Sequence, residues 1–448
     1  MNVFPDFYPF TNMVASESDP LLDTALDLYF YSKAPVFNHV DTKYEQVGAL
    51  MGGKSPGEAL ADPRLRTCGP EILGCASETL FYRLASEVGE RKLDAFLTDF
   101  LDRNRGRSVP ADSLYAAYRS AFGSGMEDAV RDMLSGSGLP ACIVTNARVY
   151  EVPGTDGPWF NVRFTAHNPN TAVGTFAATV QLESEGRGDY LRGDYFTQPP
   201  SFTRYFTLPG GAAKEVGFIV DKAFYRSLRV QTLLSENRPN SYSVAIGPAQ
   251  AGPDYQPLEG SRTLDAPPAY VGPGEVIVDD DDPGFEIVSG AKRGLLLRLL
   301  RPGGEHHNEI TEWSWWVKPP RNWRTVVDGR FYGLVRKTGQ VIKAGKGDRR
   351  IRWSAEIPES GQYAVYFHTP DAKKGFMLPY GRTFAKDFHF FVRTAGGMEE
   401  RTVEMQDTNE GWVPLGTHEL AAGTAVVELT DATKGEGVYG DAVKWVKK

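Results

Sequence analysis

The hydrophobic period of this chain changes once, near Ala141, and that change dictates what it can fold into. Up to about Gly138 apolar residues recur at helical spacing: Leu93, Phe96, Leu97, Phe100 and Leu101 share one face. Asp19 followed by Pro20 reads as an N-cap and first helical position. Ser108 with Val109-Pro110 starts another helix, in which Leu114, Tyr118, Ala121 and Phe122 line one side and Gly123 is the stop. From Ala141 the period is two. CIVTNARVYEV, FNVRFTAHNP, TFAATVQLES, TRYFTLP, KEVGFIVD and YSVAIG are short alternating segments between turn residues. Seven or so strands over about 110 residues fit an Ig-like β-sandwich.

A Pro-, Gly- and Ala-rich stretch follows and reads as a linker. Alternation resumes at Val276, and seven of the eight tryptophans lie beyond residue 312. The expected organisation is multidomain α+β: a helical domain (1–139), a β-sandwich (140–250), a linker (251–274) and a second, jelly-roll-like β-sandwich (275–448) with an insertion at about 290–324. A length of 448 residues exceeds what one core supports, and 47 glycines with 30 prolines suit turn-rich β structure. Net charge is −8 without a basic stripe, which argues against nucleic acid as a partner. The longest apolar run, GLLLRLL at Gly294–Leu300, is too short to cross a bilayer. The first residues, MNVFPDFYPF, lack the pattern of a signal peptide, and their exposed aromatics suggest a chain cut from something longer. Cys68, Cys75 and Cys142 have no metal spacing and read as buried thiols.

VIVDDDDPGF, Val276–Phe285, sets four carboxylates in a row. Adjacent residues of an extended strand point to opposite faces, and a calcium loop needs its ligands at alternate positions of a flexible turn. A strand end breaking into an Asp-Pro-Gly turn is the favoured reading, with a cation at Asp280 and Asp282 the minority one. His306, His307 and Glu309 offer two nitrogens and an oxygen, but neighbouring histidines on an extended segment point apart. Trp313 and Trp315 share a strand face, with Trp323 nearby. Such indoles either pack a core, the commoner fate, or stack on sugar rings, with Arg321 and Arg324 as polar partners for an acidic sugar. Asp441 in GDAVKW reads as a turn or cap, and His368 and His389 as interior or edge residues.

VIVDDDDPGF, then WSAEIPESGQYAVY, then GWVPLGTHELAAGTAVVELTD and VYGDAVKW resemble the golvesin-type, xanthan-lyase carbohydrate-binding-like domain, across about 170 residues. The resemblance implies a jelly-roll-like sandwich that the aspartates open. Residues 15–250 resemble the helical region and sandwich that follow the active site in aminopeptidase N-like gluzincin metallopeptidases, through Val88-Gly89, Phe96, Phe100, Met133-Leu134 and Gly138-Leu139-Pro140. That family's zinc chemistry is absent from the sequence: no histidine sits four residues from another, no H-E-x-x-H exists, and no tyrosine stands near Ile72-Leu73-Gly74 where the catalytic one would fall. Gly396-Gly397-Met398-Glu399-Glu400 reads as a hairpin turn instead of a substrate-amine motif.

The sequence therefore predicts a non-catalytic, extracytoplasmic chain of a bacterial cell envelope, periplasmic or at the cell surface. It would bind or position peptide, polysaccharide or a partner protein. No cofactor is expected in this chain; zinc would enter only with an upstream catalytic domain, and a membrane domain could also lie upstream. The rivals are the C-terminal half of an active zinc aminopeptidase and a purely structural assembly module. Metal analysis of the purified chain is expected to find no stoichiometric zinc; one tightly bound zinc per chain would refute this reading.

Overall fold

The computed structural model describes residues 40–104, 109–154, 158–183, 200–250, 256–289, 318–370, 384–409 and 411–448. Two compact units divide the chain, Met1–Pro268 and Ala269–Lys448. Asp19 and Pro20 lie outside the described residues.

The first unit begins with helices α1 (Val40–Met51), α2 (Pro56–Ala61), α3 (Gly69–Val88), α4 (Glu90–Arg103), α5 (Ala111–Phe122) and α6 (Met126–Ser135). Local chemistry places their ends. Ser55 and Glu58 form a reciprocal capping box before α2, and α5 stops where Gly123 turns left-handed at φ 73°. The apolar stripe of α4 buries Leu93, Leu97, Phe100 and Leu101 against Leu80, Leu84, Leu114 and Tyr118.

Eight strands follow: β1 (Ile143–Pro153), β2 (Pro158–His167), β3 (Gly174–Leu182), β4 (Ser201–Leu208), β5 (Ala213–Val220), β6 (Phe224–Gln231), β7 (Ser241–Ala245) and β8 (Gly260–Thr263). They form two antiparallel sheets, ordered β1-β2-β5-β8 and β4-β3-β6-β7. Phe164, Phe176, Val216, Phe218 and Leu228 fill the space between them. The sequence reading passed over β6, whose buried Phe224, Leu228 and Val230 are separated by exposed arginines. It also placed a linker across β8, which instead pairs with β5 through Lys214–Gly217.

The loop between β6 and β7 ties helices to sandwich. Leu233 and Leu234 enter the helical core. The Glu236 amide donates to the Pro140 carbonyl at 2.8 Å, and the Asn237 side chain exchanges two 2.8 Å hydrogen bonds with the Cys142 backbone.

The second unit has strands β9 (Glu275–Val278), β10 (Phe285–Ser289), β11 (Arg324–Val327), β12 (Thr338–Lys343), β13 (Arg349–Ile357), β14 (Gly361–Thr369), β15 (Asp387–Thr394), β16 (Gly397–Glu404), β17 (Gly411–Leu420), β18 (Gly423–Thr430), β19 (Gly437–Gly440) and β20 (Val443–Lys447). A five-stranded sheet, β10-β13-β18-β15-β16, and a four-stranded one, β17-β14-β20-β9, enclose a core containing Trp353, Phe367, Phe390, Tyr439 and Trp445. A third sheet, β11-β12-β19, completes the unit. Gly440 ends β19 where a Cβ would stand 2.0 Å from Ile351 Cδ1, so a side chain there would force the buried Ile351 to shift against Trp353. Ala395-Gly396 forms the two-residue turn of the β15–β16 hairpin.

Asn237→Ala strands the buried amide of Cys142 and leaves its carbonyl with the 3.2 Å hydrogen bond from the Tyr242 hydroxyl. It is expected to cost about 2–4 kcal/mol of first-unit stability, measured by urea unfolding followed by far-ultraviolet circular dichroism.

Candidate functional site

The outer face of the four-stranded sheet of the second unit gathers aromatic side chains that sequence spacing alone does not bring together. Along β14 Tyr363, Val365 and Phe367 face the core, so Tyr366 and His368 face out. Register then sets Trp412 of β17 opposite His368, and Lys444 of β20 opposite Tyr366. An irregularity between Val365 and Tyr366 leaves Leu415 as an extra residue in β17, next to Pro414. Pro414 is tolerated because β17 is an edge strand.

Tyr332, from the loop after β11, completes the group. Its ring centroid lies 5.2 Å from Trp412 and 5.5 Å from His368, and His368 lies 5.1 Å from Trp412. The Lys444 ammonium sits 4.8 Å from the Trp412 centroid and 5.6 Å from that of Tyr366, and 3.4 Å from Glu275 Oε1. All six side chains are half-buried, with part of each exposed to solvent.

Beneath this face lies a buried acidic group. Asp441 is fully buried; its carboxylate accepts the Tyr332 amide at 3.0 and 3.1 Å, and its Oδ2 lies 2.6 Å from His368 Nδ1. Its own backbone carbonyl accepts Trp353 Nε1 at 2.8 Å. Burial pushes the Asp441 carboxyl up, against the pull of His368 and of the Tyr332 amide. The turn reading of the aspartate run matches the hydrogen bonds: the Asp282 amide donates to the Asp279 carbonyl, and the Phe285 amide to the Asp282 carbonyl. Asp280 and Asp282 serve different donors. Asp282 Oδ2 accepts the Asp279 amide at 2.8 Å, whereas Asp280 accepts Thr338 Oγ1 at 2.6 Å and Gln340 Nε2 at 2.8 Å. Asp281 pairs with Arg336. Burial pushes Asp280 up to about 7, and burial with the charges of Asp441 and Asp280 pushes Asp279 well above the usual carboxylate range. Lys337, half-buried with its ammonium 3.0 Å from the Gly333 carbonyl, is lowered by desolvation although Asp441 and Asp279 attract its charge. Among the described residues no three His, Cys, Asp or Glu side chains converge as metal ligands would.

Of the residues expected to form a sugar platform, Trp323, Arg321 and Arg324 do not belong to this face. Trp313 and Trp315 lie outside the described residues, as do His306, His307 and Glu309. Trp323 is only 8% exposed and packs in the core, so its indole presents no open face. Arg321 is exposed, and its backbone carbonyl accepts the Arg349 guanidinium. Arg324 opens β11 in a different sheet from Trp412. Tyr332, Tyr366, His368, Trp412 and Lys444 went unnominated; the period-2 spacing of Tyr366 and His368 marks a shared face, but cross-strand pairing is what adds Trp412 and Lys444.

Residues 322–447 match the Golvesin C-terminal domain family. No curated protein matches the chain. Among solved structures, Paenibacillus xanthan lyase is 19% identical, with 69% of this chain and 26% of that chain covered and a TM-score of 0.28. Legionella pneumophila aminopeptidase A is 12% identical over 56% of this chain and 25% of that one, with a TM-score of 0.26. The chain thus spans about a quarter of either protein. Among the described residues no helix is long and apolar enough to cross a membrane.

A carboxyl whose folded value exceeds its unfolded one stabilises the fold below about pH 4 and loses that contribution as pH rises through the folded value. Burial also raises Asp387 and Glu428, but hydrogen bonds from Lys434 and Thr433, and from Arg352 and Arg350, outweigh it. Those two are ionised above about pH 5 whether folded or not; because an imidazole's ordinary range also falls between pH 5 and 8, the difference between wild type and Asp280→Asn isolates the aspartate share of that window. Stability of the second unit should fall by on the order of 3 kcal/mol across that window, and Asp280→Asn should flatten the slope. Tryptophan-fluorescence melts between pH 5 and 8 measure both; a wild-type slope of zero contradicts the assignment. Residues 322–447 are thus similar to the Golvesin C-terminal domain, and the outer face of the same unit, with Tyr332, His368 and Trp412, is a candidate binding face.

Proposed function

We propose that the chain is a non-catalytic region whose second unit binds polysaccharide through Trp412, Tyr332, Tyr366 and His368. The observation that carries the reading is the solvent-facing aromatic group held rigidly on a sheet, with a cation and a carboxylate, Lys444 and Glu275, at its rim. Apolar faces of sugar rings stack on such surfaces while hydroxyls bond to charged or polar edges. The Golvesin C-terminal domain match supports the same reading. Asp441 acts as a positioning residue: its carboxylate fixes Tyr332 and His368 and is buried away from any ligand.

In this proposal the protein works outside the cytoplasm, in a bacterial envelope, and needs no cofactor of its own. The first unit's resemblance to the post-catalytic part of aminopeptidase N-like proteins supports a second reading, in which the chain accompanies an upstream zinc peptidase domain. Chelator-sensitive hydrolysis of aminoacyl anilides by the full-length gene product would favour that version.

Affinity electrophoresis against an array of neutral and acidic polysaccharides is expected to retard the chain in at least one gel. Trp412→Ala should weaken that retention at least tenfold, in keeping with about 1–3 kcal/mol for one aromatic contact, with an unchanged far-ultraviolet spectrum. Retention that survives Trp412→Ala, or no retention by any polysaccharide, rejects the assignment.

A further inference from the structure

A second candidate site lies in the first unit, away from the aromatic face. A cleft of about 950 Å³ opens where the end of α3 and the start of α4 meet the flank of the sandwich. Residues Phe202 to Leu208, nearly all of β4, line it in unbroken succession. That pattern marks a strand edge facing the cleft lengthwise, and among the described residues β4 is terminal in its sheet.

Register shows which backbone groups face the cleft. The Leu182 amide donates to the Pro200 carbonyl, and Ala178 stands opposite Arg204. Alternation in an antiparallel ladder then turns the amides and carbonyls of Phe202, Arg204 and Phe206 toward β3, and those of Thr203, Tyr205 and Thr207 outward. The Thr207 carbonyl accepts Lys214 Nζ at 3.2 Å, consistent with that outward direction. Tyr205 and Thr207 anchor the strand from its other side: Tyr205 stacks on Tyr82 at 4.3 Å and Thr207 bonds Ser86 at 2.6 Å. The edge is therefore braced as well as exposed.

The walls carry apolar and charged features suited to a chain. Phe202 and Phe206, half-buried, stack on Phe218 at 5.6 and 6.4 Å. Arg204 lies over the Phe202 ring at 4.4 Å, and Arg91 and Lys92 are exposed at the rim. Of the three carboxylates lining the cleft, Glu87 is held by Arg83 at 3.2 Å and Glu259 accepts the Ile219 amide at 2.9 Å. Glu90 and Glu259 remain as anions against the four cations Arg91, Lys92, Arg204 and Lys214.

We propose that this cleft binds an extended acidic peptide segment, added as a strand to the outer edge of β4. Main-chain hydrogen bonds from Thr203 and Tyr205 supply the register; Phe202 and Phe206, which share a strand face with Arg204, receive alternate apolar side chains, and Arg91 and Lys92 from the start of α4 face the acidic ones. The site is independent of the sugar-binding reading, since it shares no residue with the aromatic face.

The test uses the whole chain and a fluorescein-labelled hexapeptide of alternating Glu and Val, followed by fluorescence polarisation. Saturable binding is expected, and a Lys/Val peptide of equal length should bind at least tenfold more weakly. Thr203→Pro removes one outward amide at an edge position where proline is tolerated, and Lys92→Glu reverses one rim charge; each should weaken binding at least tenfold. Hydrogen exchange should show Thr203 and Tyr205 newly protected in the complex. Absence of saturable binding would mean that the charges on this edge only discourage strand pairing, and would overturn the proposal. So would equal affinity for both peptides, or binding unchanged by both variants. Tight binding of an acidic oligosaccharide that ignores Thr203→Pro would overturn it too, by showing that charge without strand addition is what the cleft reads.

Discussion

Asp441 is a carboxylate with no access to water, and the second unit is arranged around satisfying it. An unpaired buried charge would cost several kcal/mol. Here the Tyr332 amide and the His368 ring meet its oxygens, while its backbone carbonyl takes the indole N–H of the buried Trp353. One residue therefore binds the loop after β11, strand β14 and the inner strand β13. A side chain on Gly440, its neighbour, would force Ile351 to shift against Trp353 at that point. The aromatic face is a consequence. Tyr332 and His368 stand where they do because a carboxylate underneath holds them, and Trp412 fills the remaining side of the triangle.

The aspartate run at the unit's entrance is part of the same polar layer. Asp282 closes the turn, Asp281 pairs outward with Arg336, and Asp279 and Asp280 turn inward. Four adjacent carboxylates coexist because they are divided between solvent and interior, and the buried ones are hydrogen-bonded or hold their protons more tightly. Repulsion that looks like a metal's signature in the sequence is relieved by geometry and protonation.

Much of the architecture was legible from the chain. Helices α5 and α6, six strands of the first sandwich, the longer strands of the second and the turn after Val278 follow from period, capping and turn chemistry, all of which are local. Strands β6, β8, β10, β11, β12 and β19 escaped: Arg226 and Arg229 obscure the alternation of β6, and the four exposed residues of β8 carry no hydrophobic signal. The site was less legible. Tryptophan clustering pointed to Trp323, yet that indole is core, since a tryptophan's position in sequence says nothing about which face of a sheet it takes.

Amino-acid order by itself determined the switch from helix to sandwich, the absence of a zinc-binding helix motif and the existence of an acidic turn at the entrance of the last unit, because each is a matter of residues within a few positions of one another. Only tertiary structure decided that Tyr332, His368 and Trp412 share a face, that Asp441 lies beneath them, and that β4 is left as an open edge. Those facts depend on strand register and sheet order, which join residues tens of positions apart through hydrogen bonds whose partners no local pattern names.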